Sequence, residues 1–140
     1  MRLLPIALVT LAACASAAPP SESFIGNAFE VLQNNPIKPD EMIKITPLHE
    51  NADHTVSLVQ VNGELRAHRH ESHDEIAFVL EGTGTFTLDG VKRELKPGDV
   101  QVIPRGAIHS FVNKGPGATA VVSVFTPKFD GRDRIFIDGP

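Results

Sequence analysis

Tryptophan and tyrosine are both missing from this 140-residue chain, and Cys14 is its single cysteine. Without tyrosine there is no phenol to act as general acid or base, so any proton transfer falls to other groups. With one cysteine no intrachain disulfide can form, and stability has to come from packing, with or without a metal. Strong charge of one sign is also lacking: the net charge of −4 is mild and no basic stripe is present, which argues against a nucleic-acid partner. There is no phosphate-cradling Gly-Lys-Ser/Thr loop and no dinucleotide glycine fingerprint, so nucleotide chemistry is disfavoured. No internal repeat appears, which points to one folding unit. The apolar run at 3–13 is well short of the ~20 residues a bilayer core requires, and Pro5 interrupts it.

What the chain does hold is a set of metal-ligating side chains. His68, His70, Glu75 and His109 offer three imidazoles and one carboxylate, the ligand types that suit a divalent first-row metal. Side chains two apart in a strand share a face, so His68 and His70 can meet one centre while Arg69 points away. Residues 70–74 are polar and turn-like, which lets the chain reverse and return Glu75 on a neighbouring strand. His109 lies on a later strand and joins the others only through tertiary folding. His73 also flanks the turn and could replace His70 as a ligand; the competing reading leaves it solvated on the loop. His49 and His54 fall in a polar stretch with Glu50, Asn51 and Asp53 and read as exposed.

Strand-like runs recur at 42–48, 55–61, 65–70, 76–80, 82–88, 91–95, 100–103, 107–112 and 119–126. Asp89-Gly90 is a hairpin signal, and Lys96-Pro97-Gly98-Asp99 marks the next turn. The run 76–80 is apolar on both faces, as expected of a strand covered by the lumen on one side and by a second sheet or subunit on the other. A stretch at 134–138 reads as a last edge strand or a dimer contact. Ala77, Val79, Phe86, Phe111 and Phe125 are expected to make the interior apolar.

These residues resemble a known family at two places. Gly63, His68-x-His70, Glu75 and Gly82 resemble the first motif of the cupins, with one residue fewer between the opening glycine and the first histidine. Gly98, Pro104, Gly106, His109 and Asn113 match every fixed position of the second, Gly-x5-Pro-x-Gly-x2-His-x3-Asn. The resemblance spans roughly 55–126 and implies an all-β fold, an antiparallel jelly-roll β-barrel (double-stranded β-helix) with one metal in its lumen. It further implies that His68, His70, Glu75 and His109 are the four ligands. The missing tyrosine disfavours the lyase-type cupins that use a tyrosine base.

Outside the barrel, Met1-Arg2 followed by an apolar run and small residues has the pattern of an export signal. One reading ends a signal peptide at 1–17; the other, from Leu11-Ala12-Ala13-Cys14, resembles a bacterial lipobox and makes 1–13 a lipoprotein signal with Cys14 lipidated. Either places the protein in the periplasm or outside the cell, touching membrane only through such an anchor. An N-terminal arm at 18–45, a barrel at 46–127 and a tail at 128–140 follow.

Two function classes remain open. One is a metal-dependent enzyme acting on a small oxygenated or acidic molecule, as a dioxygenase, isomerase or decarboxylase, with Fe, Mn, Ni, Cu or Zn and with Glu75 as the acid or base. The other is a non-catalytic protein binding the metal or a small ligand. Arg66 shares parity with His68 and His70 and could anchor a carboxylate, unless the strand starts after it and leaves it solvated. Gln60 is the polar interruption of an apolar strand and a second substrate-binding candidate. Single-domain cupins are commonly dimeric, and the run 76–80 is compatible with a homodimer.

Overall fold

Asp89 and Gly90 both take positive φ, 46° and 81°, the backbone of a two-residue turn whose twist matches that of the strands it joins. It folds β5 (Gly84–Leu88) against β6 (Val91–Leu95). The Asp89 side chain accepts from the Ile108 amide at 2.9 Å, fixing this hairpin to the segment that leads into β8 (His109–Asn113). At the next turn Gly98 has φ 93° and the Asp99 carboxylate accepts from the Lys96 amide at 2.9 Å, which aims the chain into β7 (Val100–Ile103).

The computed structural model describes residues 23–137. Its strands form two five-stranded antiparallel sheets, the jelly-roll arrangement expected. The first runs β1 (Ile43–Glu50), β2 (Thr55–Val61), β9 (Thr119–Thr126), β4 (Asp74–Glu81), β7. The second runs β10 (Ile135–Phe136), β3 (Glu64–Arg69), β8, β5, β6. β1 opens at Ile43, so the sheet reaches into the stretch expected to be arm. The tail supplies an edge strand, since β10 pairs with β3 through Ile135–Arg69 and Phe136–His68. Both leader readings, and Cys14 with them, lie outside the described residues. No helix among the described residues is long and apolar enough to cross a membrane.

Between the sheets, alternate residues of each strand pack inward. Val61, Val79, Phe86, Leu95, Ile103 and Phe111 form the main apolar cluster; burying a side chain of the larger kinds contributes roughly 1.5–3 kcal/mol. Val79 is buried there without lining the cavity, unlike Ala77, Phe86, Phe111 and Phe125. On the outside of the first sheet, α1 (Ala28–Asn34) is capped by the Asn27 side chain, which accepts from the Phe29 amide, and lays Leu32 onto Leu58 and Ala120. Leu80 joins this outer cluster, whereas Phe78 remains 43% exposed. The outer face of β4 is thus covered in part by a helix and in part by nothing in the described chain.

Asn113 locks the two motif regions together. Its backbone amide donates to Gly63 O at 2.9 Å, its side-chain nitrogen donates to Asn62 O and Gly117 O, and its side-chain oxygen accepts from the Thr119 hydroxyl. Its fixed place in the second motif has a plain structural reason: no hydrophobic residue could satisfy these donors and acceptors.

Candidate metal centre

The second sheet and the turn that follows β3 deliver three histidines to one point. His68 sits on β3, His70 just beyond its end, and His109 opens β8 opposite His68 in register. They are 4%, 2% and 4% exposed, and one nitrogen from each lies within 4.8 Å of the others. Each ring is oriented by a backbone carbonyl: Nδ1 of His68 meets Arg66 O at 2.7 Å, Nδ1 of His109 meets Ala107 O at 3.1 Å, and Nδ1 of His70 meets Asp133 O. A carbonyl can only accept, so each Nδ1 carries the proton and each neutral ring presents the Nε2 lone pair, the form in which imidazole binds metal.

Glu75 comes from the facing sheet at the start of β4. Its Oε2 lies 3.6 Å from His70 Nε2 and 3.5 Å from His109 Nε2, too far for good hydrogen bonds. Both Nε2 atoms are buried with no hydrogen-bond partner. Buried polar atoms left this way are uncommon, and a cation held between them and the carboxylate would satisfy all of them. The Glu75 Oε1 accepts from the Ser123 hydroxyl at 2.6 Å, a bond that orients the carboxylate. The residues present therefore fit a metal: three imidazoles and a carboxylate drawn from both sheets, each oriented from behind.

The electrostatics agree. Burial pushes the His68 imidazole down to about 4, with the nearby His109, Arg134 and His70 pushing the same way against the Arg66 carbonyl. Burial likewise pushes His70 below its ordinary value. For Glu75 burial acts upward, but contacts with His109 and Ser123 and the nearby His70 outweigh it and hold the carboxyl below the ordinary range.

Two expected substrate-binding residues are elsewhere. Arg66 is exposed, with its guanidinium 5.3 Å from the centre of the Phe136 ring. The pairing of β3 with β8 slips between Leu65 and His68, and this irregularity resets the alternation: Leu65 and His68 both line the cavity and Arg66 does not. Gln60 is 2% exposed but turns away from the lumen. Its side chain accepts from the Ile37 amide at 3.0 Å and donates to Asn35 O at 2.8 Å, tying the segment after α1 to the sheet. His73 is not solvated: it is 7% exposed, with Nδ1 2.6 Å from an Asp133 carboxylate oxygen and Nε2 3.1 Å from Lys128 O. It is not part of the three-histidine cluster. His49 lies on β1, and its Nδ1 is 3.0 Å from His54 Nε2.

Several residues of the site carried no sequence expectation. Ser57 and Gln101 are buried polar residues that line the cavity from the first sheet, and Ser123, paired with Ser57, is buried behind Glu75. Phe129 stacks on Phe125 at 4.4 Å and meets the His70 ring edge-on at 5.4 Å. Asp133 pins the tail down: burial pushes its carboxyl up, but hydrogen bonds from His73 and the amides of Ser72 and Glu71 hold it at about 2. Arg134 follows and lines the cavity.

The family model described as a cupin domain matches residues 55–125. This chain is a cupin. An uncharacterised protein of Aquifex aeolicus is 33% identical over 98 residues, covering 70% of this cupin and 80% of that protein. The pectin degradation protein KdgF of Dickeya dadantii is 34% identical over 61 residues, covering 44% of this chain and 54% of that one. Among solved structures, KdgF from Halomonas sp. superposes with a TM-score of 0.65 at 28% identity, covering 79% of this cupin and 97% of that chain.

Proposed function

We propose that this cupin is an exported, metal-dependent enzyme acting on a small oxygenated or acidic molecule. The observation that carries the reading is the pair of orphaned Nε2 atoms on His70 and His109 facing one Glu75 oxygen beside His68, inside a cavity of about 110 Å³ walled mostly by apolar side chains. His68, His70, His109 and Glu75 would hold the ion, with Fe, Mn, Ni, Cu or Zn all compatible with such donors. A metal of this kind with open positions acts as a Lewis acid, and in its redox-active forms can engage oxygen. The protein's part is to disfavour protonation of His68 and His70 by burial, to orient Glu75 through Ser123, and to wall the site with Phe86, Phe111, Phe125 and Phe129. Glu75 also stands where a carboxylate could move a proton, which makes it the candidate acid or base. Dioxygenase, isomerase and decarboxylase chemistry all use these parts.

The alternative is a non-catalytic binder with a closed ligand sphere. Loading with Mn(II) and measuring water-proton relaxation separates the two: at least one rapidly exchanging bound water supports the enzyme reading, and none supports the binder. Export rests on the leader pattern and is tested by locating the protein in fractionated cells of its source. A homodimer would cover Ile76, Phe78, Val100 and Val102, which share the outer face of β4 and β7; three of them are 43–61% exposed. A monomer by light scattering would remove that surface from the account.

A further inference from the structure

Among the described residues that line the cavity, Arg134 is the only lysine or arginine and Glu75 the only carboxylate. The Arg134 Nε is buried without a hydrogen-bond partner. Among the described residues no carboxylate lies within ion-pair distance of its guanidinium. Arg134 is half-buried, and a guanidinium at the wall of a mostly apolar cavity with its buried Nε unbonded is placed to take an anion. The tail fixes it there on both sides: Asp133 is bonded to the 71–73 turn, and Ile135 pairs with Arg69. Its charge also reaches the triad, where it works against protonation of His68 and His70. Glu75 is engaged by Ser123 and faces the histidines, so it does not serve as the partner.

We infer that Arg134 is the specificity residue of this site, binding the carboxylate of a small organic acid whose oxygenated carbon faces His68, His70 and His109. This rests on the metal-dependent reading above and names its substrate class. The arginine fork matches a carboxylate in two parallel hydrogen bonds. With a divalent ion at the triad and a positive Arg134, Glu75 alone leaves the cavity with excess positive charge, and an anionic ligand lowers that excess. An apolar cavity of roughly 150 Å³ takes a benzene-sized guest, so a cavity of about 110 Å³ suits a ligand of a handful of heavy atoms. The apolar walls suit a short hydrocarbon remainder and disfavour a second charge.

The test is calorimetric binding of pyruvate and of its uncharged analogue pyruvamide to the Zn(II)-loaded and metal-free protein, with metal content measured on every sample. The unmodified protein should bind pyruvate at least tenfold more tightly than pyruvamide. Arg134→Gln should abolish that preference without changing metal content, and Arg134→Lys should restore part of it. Equal binding of the two probes, binding of neither, or a preference that survives Arg134→Gln overturns the inference. The probe comparison on the unmodified chain stands even where the variant fails to fold. The two readings fail separately: a pyruvate preference in a chain that takes up no metal keeps Arg134 and removes the metal centre, while stoichiometric metal without a preference does the reverse.

Discussion

Acidifying the metal-stripped protein should destabilise it well above the pH at which carboxylates titrate. His68 is 4% exposed, and its imidazole is held down at about 4 against an ordinary 6.5. Between those values the unfolded chain binds a proton that the folded chain refuses, so stability rises with pH across the window and is lost as pH falls. The gap is about 2.5 pH units (6.5 less 4), and at about 1.36 kcal/mol each this one ring accounts for about 3 kcal/mol. That is a large part of the 5–15 kcal/mol typical of a domain. His70 is shifted in the same direction and adds to the loss. Glu75 is held below its ordinary 4.5 and so contributes stability that is lost only below that pH, which leaves the interval from 6.5 to 4.5 to the imidazoles. Urea unfolding at pH 7 and pH 4.5 of the metal-free wild type and His68→Gln provides the measurement. The wild type should lose about 2–3 kcal/mol more than the variant between the two conditions. Equal losses would refute the claim that His68 is buried neutral, and with it the electrostatic basis of the site.

Ser123→Ala removes the 2.6 Å bond to Glu75 and should weaken metal affinity about 10–100-fold while leaving the ligands in place, as loss of a ligand-orienting partner does; a competition titration with a chelator reads it, and unchanged affinity would show that Glu75 needs no such support. Gln60→Ala should do the opposite. It strands the Ile37 amide and Asn35 carbonyl at a cost of about 1–3 kcal/mol in unfolding stability and leaves metal affinity untouched, so a selective effect on metal or ligand binding would count against its placement outside the lumen.

The metal-site candidates were legible because their information is local: fixed spacings between histidines, a carboxylate and turn glycines, set in strands whose alternation is also local. Gly98 and Gly106 show what such spacings encode, for both adopt positive φ at turns that aim β7 and β8, and Gly106 N also donates to His70 O at 2.6 Å. Of the two readings of Arg66 the exposed one holds although the strand starts before it, because an irregularity between Leu65 and His68 that leaves no mark in the sequence resets the alternation. Gln60 was misread because a polar interruption tells that a residue is special and not which face it occupies; the outer face of β2 is covered by α1 and the chain after it. The same signal in Val100-Gln101-Val102-Ile103 does belong to the lumen, and in Val122-Ser123-Val124 it marks the hydroxyl that holds Glu75. Arg134, Asp133 and Phe129 reach the site through pairing of β10 with β3, more than sixty residues earlier in the chain, and no periodicity within the tail could announce that contact.

The central claim is that His68, His70, Glu75 and His109 hold one metal ion, and elemental analysis of protein purified from its native source, beside His68→Ala and His109→Ala, tests it most directly. The account predicts near-stoichiometric iron, manganese, nickel, copper or zinc in the wild type and a loss of orders of magnitude in both variants with the far-UV circular dichroism of the barrel retained. No bound metal in the wild type, or equal metal in all three proteins, would contradict it.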